Sequence, residues 1–168
     1  MQTINDRVIL VDENDQAIGD MDKIEVHQKG LLHRAFSIFI FNDKKQLLLQ
    51  RRAKEKYHSA NLWTNTCCSH PKPGECTLDA AKRRLKEEMG IATELTKFFD
   101  FIYQARVEDD LIEYEFDHVF IGQYNRQPLL NPEEASDYKW ISIDELKADL
   151  ERFPGKYTEW LKIAINSF

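Results

Sequence analysis

Trp63-Thr64-Asn65-Thr66-Cys67-Cys68-Ser69-His70-Pro71, followed by Gly74-Glu75 and by Arg83-Arg84-Leu85-Lys86-Glu87-Glu88-Met89-Gly90-Ile91, is the stretch on which the reading of this chain turns. It joins a thiol and an imidazole two residues apart, Cys68 and His70, to a pattern that ends in paired carboxylates and a glycine. Leu78, Ala81, Leu85 and Met89 recur at spacings of three and four, so Thr77 to Met89 reads as a helix with Gly90 as its stop. Positions 84, 87 and 88 of that helix share a side. The face offers Glu87 and Glu88 to a hard cation and Arg84 to a phosphate. The plainer alternative is a solvated helix with Arg83 and Arg84 in i,i+4 ion pairs with Glu87 and Glu88.

On either side of this stretch the pattern is mostly strand. Val8 to Val11 reads as a strand ended by the turn Asp12-Glu13-Asn14-Asp15. Ala35 to Phe41 is an apolar run ended by Asn42-Asp43, and Gln46 to Gln50 follows, which predicts a hairpin. Tyr57 to Gly74 carries Asn, Ser, Pro and Gly and reads as a long functional loop. Leu95 to Val107 and Ile112 to Tyr124 are two more strands around Asp109-Asp110. Tyr138 to Ile141 is a short strand, Asp144 to Arg152 a helix, and Tyr157 to Ile165 a last helix after Pro154-Gly155. Strands mixed with a few helices, without regular alternation, predict a single α+β domain, a mixed α/β sandwich over residues 1–168.

The 168 residues are 42 % apolar and 31 % charged, an ordinary balance for a globular protein with a sizeable core. A net charge of −6 gives no general reason to expect nucleic-acid binding. There is no apolar run of transmembrane length, and the N-terminus lacks a basic region followed by an apolar stretch, so no membrane association and a cytoplasmic location are expected. Three cysteines, two of them adjacent, do not make a disulfide framework, and at least one is available for chemistry.

Two further groups bear on chemistry. Glu113 and Glu115 are two apart in a strand and leave the same face. Side by side they repel unless a cation or proton intervenes. With His27, His33 and His70 they offer a ligand set for zinc, manganese or another transition metal; no short regular metal motif joins them, and the alternative for each histidine is a surface or satisfied core residue. His58 and His118 read as ordinary histidines, His118 on the face opposite the two glutamates. Lys23, Arg51, Arg52, Lys54, Lys56 and Arg84 form the basic group, and it suits phosphate binding as well as it suits a solubilising turn. Trp160, in the last helix, is either a core anchor or a π face for a cation.

The opening stretch resembles a modified Nudix box. Glu75, Arg83, Leu85, Glu87, Glu88, Gly90 and Ile91 sit on the pattern, while Ser69 stands where its first glycine is expected and Arg84 replaces a central glutamate. From about Lys23 to Trp160 the chain is similar to the type I isopentenyl-diphosphate delta-isomerases. The markers are His27-Gln28-Lys29-Gly30-Leu31-Leu32-His33-Arg34-Ala35-Phe36-Ser37, the Trp63 to Pro71 segment, the altered helix, and Glu113-Tyr114-Glu115. The resemblance implies a Nudix-type fold, a mixed sheet flanked by helices, and interconversion of isopentenyl and dimethylallyl diphosphate. It implies Cys68, not Cys67, as the catalytic thiol, Glu115 as its partner acid/base, and Tyr103 as an assisting tyrosine. A transition ion, Mn²⁺ or Zn²⁺, would be held by His27, His33, His70, Glu113 and Glu115. Glu88 would take the Mg²⁺ that accompanies the diphosphate. Lys23, Arg52, Lys56 and Arg84 would surround the diphosphate, and Trp160 would cap the hydrocarbon. The implied partner is a small isoprenoid diphosphate, with the protein a monomer or weak homodimer.

For such a reaction an ordinary thiol is a poor acid toward an alkene. Solution acidities therefore make Glu115, helped by Tyr103 and the metal, the proton donor, and Cys68 the acceptor. The rival readings are a Nudix pyrophosphohydrolase, against which Arg84 and the Cys68/His70 pair speak, and a degenerate module that only binds a phosphorylated ligand or metal.

Overall fold

The computed structural model describes residues 6–168; residues 1–5, part of the stretch read as lacking a leader pattern, lie outside them. An antiparallel pair comes first, β1 (Arg7–Val11) and β2 (Ala17–Asp22), closed by a turn in which the Asp12 carboxylate accepts from the backbone N–H of Asn14 and Gln16. A short helix follows, α1 (Lys23–Lys29). Asp22 caps its start by accepting from Ile24 and Glu25 N–H, and Gly30 ends it at φ 65°. The patterning anticipates β1 but not β2 or α1. β2 is mostly exposed and shows no alternation, and seven residues make barely two turns.

Next come β3 (His33–Phe41), β4 (Gln46–Arg52), β5 (Trp63–Thr64), β6 (Cys67–Ser69) and α2 (Thr77–Met89). The long strands β7 (Leu95–Arg106) and β8 (Ile112–Gln123) follow, then β9 (Ala135–Ser142), α3 (Ile143–Arg152) and α4 (Glu159–Ala164). α2 has the predicted bounds. The predicted loop from Tyr57 to Gly74 instead contains β5 and β6. The last helix is shorter than predicted and passes into a 3₁₀ turn at Ile165–Ser167.

The expected hairpin between β3 and β4 is one residue pair deep, Phe41 opposite Leu47. Beyond that pair the strands part. β3 runs parallel to β8 from His33 opposite Glu115 to Phe41 opposite Gln123, and antiparallel to β6 on its other edge. β4 instead pairs with β9 and β5. The parting leaves ladder groups without strand partners, and Thr66 fills the gap. Its hydroxyl accepts from Ile40 N–H at 2.9 Å and donates to the Leu48 carbonyl at 2.7 Å. Asn65 donates beside it to the carbonyls of Ile38 and Cys67.

The result is a mixed sheet with helices on both faces, the predicted α+β sandwich. The run at 35–41 is apolar almost throughout because both of its faces are covered. Phe36, Ile38 and Ile40 join Leu48 and Cys67 against Ala80, Ala81, Leu85 and Met89 of α2. Phe39, with Leu47, Leu49 and Val119, meets Leu146 of α3 and Leu161 and Ala164 of α4. Each fully buried Leu, Ile or Phe contributes about 1.5–3 kcal/mol. No helix among the described residues is long and apolar enough to cross a membrane.

Thr66→Val keeps the side-chain shape but strands the Ile40 N–H and Leu48 carbonyl in the core. We expect a loss of about 2–4 kcal/mol, read as a lower denaturant midpoint at unchanged slope. A loss below about 0.5 kcal/mol would remove Thr66 from its bridging role.

Candidate active site

The site lies at one end of the β3 face that carries Phe39. Strand register assembles it: Tyr103 of β7 pairs with Glu115 of β8, Glu115 with His33 of β3, and Ser37 of β3 with Cys68 of β6. Alternation along β6 separates the two adjacent cysteines. Cys67 turns to α2, where its thiol reaches Glu88 at 3.4 Å, and Cys68 turns to a cavity of about 470 Å³. His70, Glu113, Glu115 and Trp160 line the same cavity, and Lys23, Arg52, Lys56 and Arg84 stand around it.

The donor atoms of His27, His33, His70 and Glu115 lie within 4.8 Å of one another, and those of His27, His58 and Glu113 form a second such group. The predicted five-residue set is therefore present as two overlapping groups that share His27. His27 Nδ1 is 2.6 Å from the Lys23 carbonyl and His33 Nδ1 is 2.9 Å from the Leu31 carbonyl. A carbonyl only accepts, so both Nδ1 atoms carry hydrogen, a tautomer assigned from the partners. The Nε2 lone pairs then face carboxylates: His33 meets Glu115 Oε2 at 3.1 Å and His27 meets Glu113 Oε1 at 3.3 Å. Two acceptors at that distance need a proton or a metal cation between them. Three imidazoles with paired carboxylates fit a divalent transition ion.

Burial pushes His27 down, but Glu113 and Glu115 outweigh it and raise its pKa. His70 falls to about 4, chiefly by burial, and is a neutral imidazole at pH near 7. Burial and Glu113 push Glu115 up, yet hydrogen bonds with His33 and His70 bring it below the usual carboxylate value. Glu113 lies well below its ordinary value, because His58 and His27 overcome burial. Tyr103 stays a phenol, held well above 10 by burial and the two glutamates, and donates to Glu115 Oε1 at 2.5 Å.

Across the cavity, Cys68 is pushed up to about 12, first by burial and then by nearby Asp117. Its S–H donates to Asn65 Oδ1 at 3.1 Å, and the Trp160 indole N–H donates to its sulfur at 2.9 Å. Asp117 is itself pushed well up by burial and by Glu115, and accepts from Ser37 Oγ at 2.7 Å.

The cations at the rim are already paired. Lys23 meets Asp6 at 2.8 Å, Lys56 meets Glu134 at 2.6 Å, and Arg84 meets Glu87 at 2.6 Å, Glu88 at 3.0 Å and Glu134 at 3.1 Å. Arg52 is largely committed to the fold. It donates to the carbonyls of His58 and Ser59 and lies 5.2 Å from the Trp160 ring centre. Glu88 is not at the cavity wall; it is buried among Gln50, Cys67 and Arg84, and Glu87 and Glu134 face the cavity instead. Both i,i+4 pairs of the plainer reading form, Arg83 with Glu87 at 3.4 Å and Arg84 with Glu88 at 3.0 Å, but the face is not simply solvated: Arg83 also meets Glu75 at 2.8 Å and Glu88 is buried. Arg51 and Lys54 stay out of the cavity.

Sequence reasoning missed Asp117, Asn65, Glu134 and His58. Asp117 continues the two-residue spacing of Glu113 and Glu115, so a signal was present. His118 faces away, paired with Asp15 at 2.9 Å, as expected. His58, read as ordinary, is buried with its Nε2 in close contact with Glu113.

Residues 31–161 match the family model of the NUDIX domain. The chain is 52 % identical to isopentenyl-diphosphate Delta-isomerase 2 of Aromatoleum aromaticum, over 97 % of this chain and 86 % of that one. It is 54 % identical to isopentenyl-diphosphate Delta-isomerase of Serratia proteamaculans, over 94 % and 88 %. Among solved structures it superposes on a Deinococcus radiodurans protein with a TM-score of 0.78, covering 96 % of this chain and 98 % of that one, at 19 % identity, a likeness of fold alone.

Glu134 gives this region a pH signature. Burial would raise its pKa, but Lys56 and Arg84 bring it down to about 2 from an ordinary 4.5. A carboxylate lowered in the folded state contributes stability that is complete above its unfolded pKa and is lost as pH falls through its folded one. Wild type is expected to exceed Glu134→Gln by about 2 kcal/mol near pH 6, with the gap shrinking below about pH 4.5. An equal gap at about pH 6 and about pH 3.5 in urea titrations contradicts the pairing.

Proposed function

We propose that Cys68 and Glu115 carry out a 1,3-proton shift, on the premise that this chain belongs to the NUDIX domain family and, within it, to the isopentenyl-diphosphate Delta-isomerases. The reaction is the reversible conversion of isopentenyl diphosphate to dimethylallyl diphosphate. One observation supports these two residues above others: a partly buried thiol and a buried carboxylate face one cavity whose rim is cationic.

The chemistry needs one group that holds a proton and one that lacks it. Cys68, pushed up to about 12, holds its proton, and Glu115, pulled below its ordinary value, lacks one. In the direction starting from isopentenyl diphosphate, the Cys68 proton forms a new C–H bond at the terminal alkene carbon, and sulfur keeps the electron pair. A tertiary carbocation results. Glu115 takes a proton from the carbon nearer the diphosphate, and that C–H pair becomes the new double bond. The carbocation and the Trp160 N–H stabilise the thiolate while it lasts. Before the next forward turnover one proton passes from Glu115 to sulfur through solvent; in the return direction the roles exchange. This order inverts the one expected from solution acidities, because a buried site penalises the thiolate and the imidazoles favour the carboxylate.

The diphosphate positions the alkene without being consumed. Lys23, Lys56 and Arg84 meet it as cations held in place by Asp6, Glu134 and Glu88, and Arg52 closes the Trp160 side. A diphosphate that draws Arg84 leaves the buried Glu88 carboxylate in need of another cation, the role we assign to Mg²⁺. A divalent transition ion, Mn²⁺ or Zn²⁺, held by His27, His33, His70, Glu113 and Glu115, would supply the charge that keeps Glu115 ionised and oriented. Trp160 closes the thiol side against water, which would otherwise capture the carbocation.

Deuterium exchange in D₂O separates the roles. Glu115→Gln retains the donor, so isopentenyl diphosphate should gain deuterium at its terminal carbon without isomerising. Cys68→Ala should show neither process, with turnover down by at least about 10²-fold. Terminal exchange in Cys68→Ala and its absence in Glu115→Gln would return the donor role to Glu115. Cys68→Ala at full rate would remove the thiol from the reaction altogether.

A further inference from the structure

His58 lies outside the ligand set inferred for the metal, yet it is buried against Glu113 and belongs to the second donor group with His27. Its ring is fixed at both nitrogens. Nδ1 lies 3.0 Å from the Ser59 hydroxyl, which has a hydrogen to give, and Nε2 is then the N–H that faces Glu113 Oε1. The backbone beneath it is strained and clamped. Ser59 sits at φ 52° and Asn61 at φ 64°, left-handed values that cost a non-glycine residue about 1–3 kcal/mol. Arg52 grips the carbonyls of His58 and Ser59 at 3.0 and 3.2 Å, and Glu108 accepts from Ser59 N–H at 2.8 Å. Strain held by so many partners marks a segment whose geometry is needed.

We propose that His58 is a positioning residue of the metal site, its Nε2–H orienting the Glu113 carboxylate so that the oxygen shared with His27 is aimed at the ion. The inference rests on the reading of Glu113 as a metal ligand. A group that orients a ligand carboxylate in this way sets metal affinity rather than supplying a ligand atom. It also ties the metal to the diphosphate side, because Arg52, which holds His58, faces the same cavity.

The test is metal affinity of the full-length protein, measured for Zn²⁺ and Mn²⁺ by competition with a chromophoric chelator, without reference to turnover. His58→Ala should weaken binding by about 10–100-fold, and His58→Gln, whose amide N–H can donate to Glu113, should restore most of it. Ser59→Ala, which frees Nδ1 but keeps the ring, should fall between the two and serves if His58→Ala does not fold. Glu113→Gln separates the two readings. If it leaves affinity unchanged, Glu113 is no ligand and the premise fails. If it weakens binding while His58→Ala does not, the premise stands and the positioning role is wrong. Equal weakening by His58→Ala and His58→Gln also overturns the role, since the ring itself would then be what the metal needs.

Discussion

Two carboxylates, Glu113 and Glu115, are held 3 % and 6 % exposed on the same face of one strand, and this end of the molecule is organised around their charge. A lone buried carboxylate would take up a proton rather than stay ionised. Here four imidazoles converge on the pair, two of them with Nδ1 turned to backbone carbonyls so that their free nitrogens point inward. Burial opposes charge on His70 and Cys68, whereas on Glu115 the hydrogen bonds with His33 and His70 outweigh burial and lower its pKa. In the proposed roles, donor and acceptor are separated by environment rather than by intrinsic acidity, as paired catalytic groups generally are.

The fold delivers this arrangement through the parting of β3 from β4. Because β3 leaves its sequence neighbour after one pair, both of its edges are free, one for β8 and the other for β6. β8 brings the carboxylates and β6 brings the thiol. Thr66 and Asn65, which precede the two cysteines, satisfy the backbone groups that the parting exposes. The segment that carries the Cys68 thiol is therefore also the one that closes the gap in the sheet.

Much of this was legible in the sequence. The apolar run at 35–41, the helix from Thr77 to Met89 with its terminal glycine, and the i,i+2 spacing of Glu113 and Glu115 each have a local physical cause, and each is found. What was not legible is non-local. Nothing in Gln46 to Gln50 says that it will pair with β9 rather than complete a hairpin. α1 escaped notice because its stability comes from the Asp22 cap and Gly30 rather than from periodicity. Glu88 was read outward from helix spacing, but Gln50 and Cys67 from two different strands hold it inside. His58 carries no signal of its own; its role exists only because Arg52 and Glu108 fold its loop over Glu113.

The central claim is that this NUDIX-family cavity moves a proton and leaves the diphosphate intact, with Arg84 where a hydrolase would place another carboxylate. The most direct measurement is incubation of the purified protein with isopentenyl diphosphate and Mg²⁺, following dimethylallyl diphosphate and free phosphate together. Accumulation of dimethylallyl diphosphate to an equilibrium mixture, with no phosphate released, is the predicted result. Phosphate release without isomerisation would contradict the account and make the cavity that of a hydrolase.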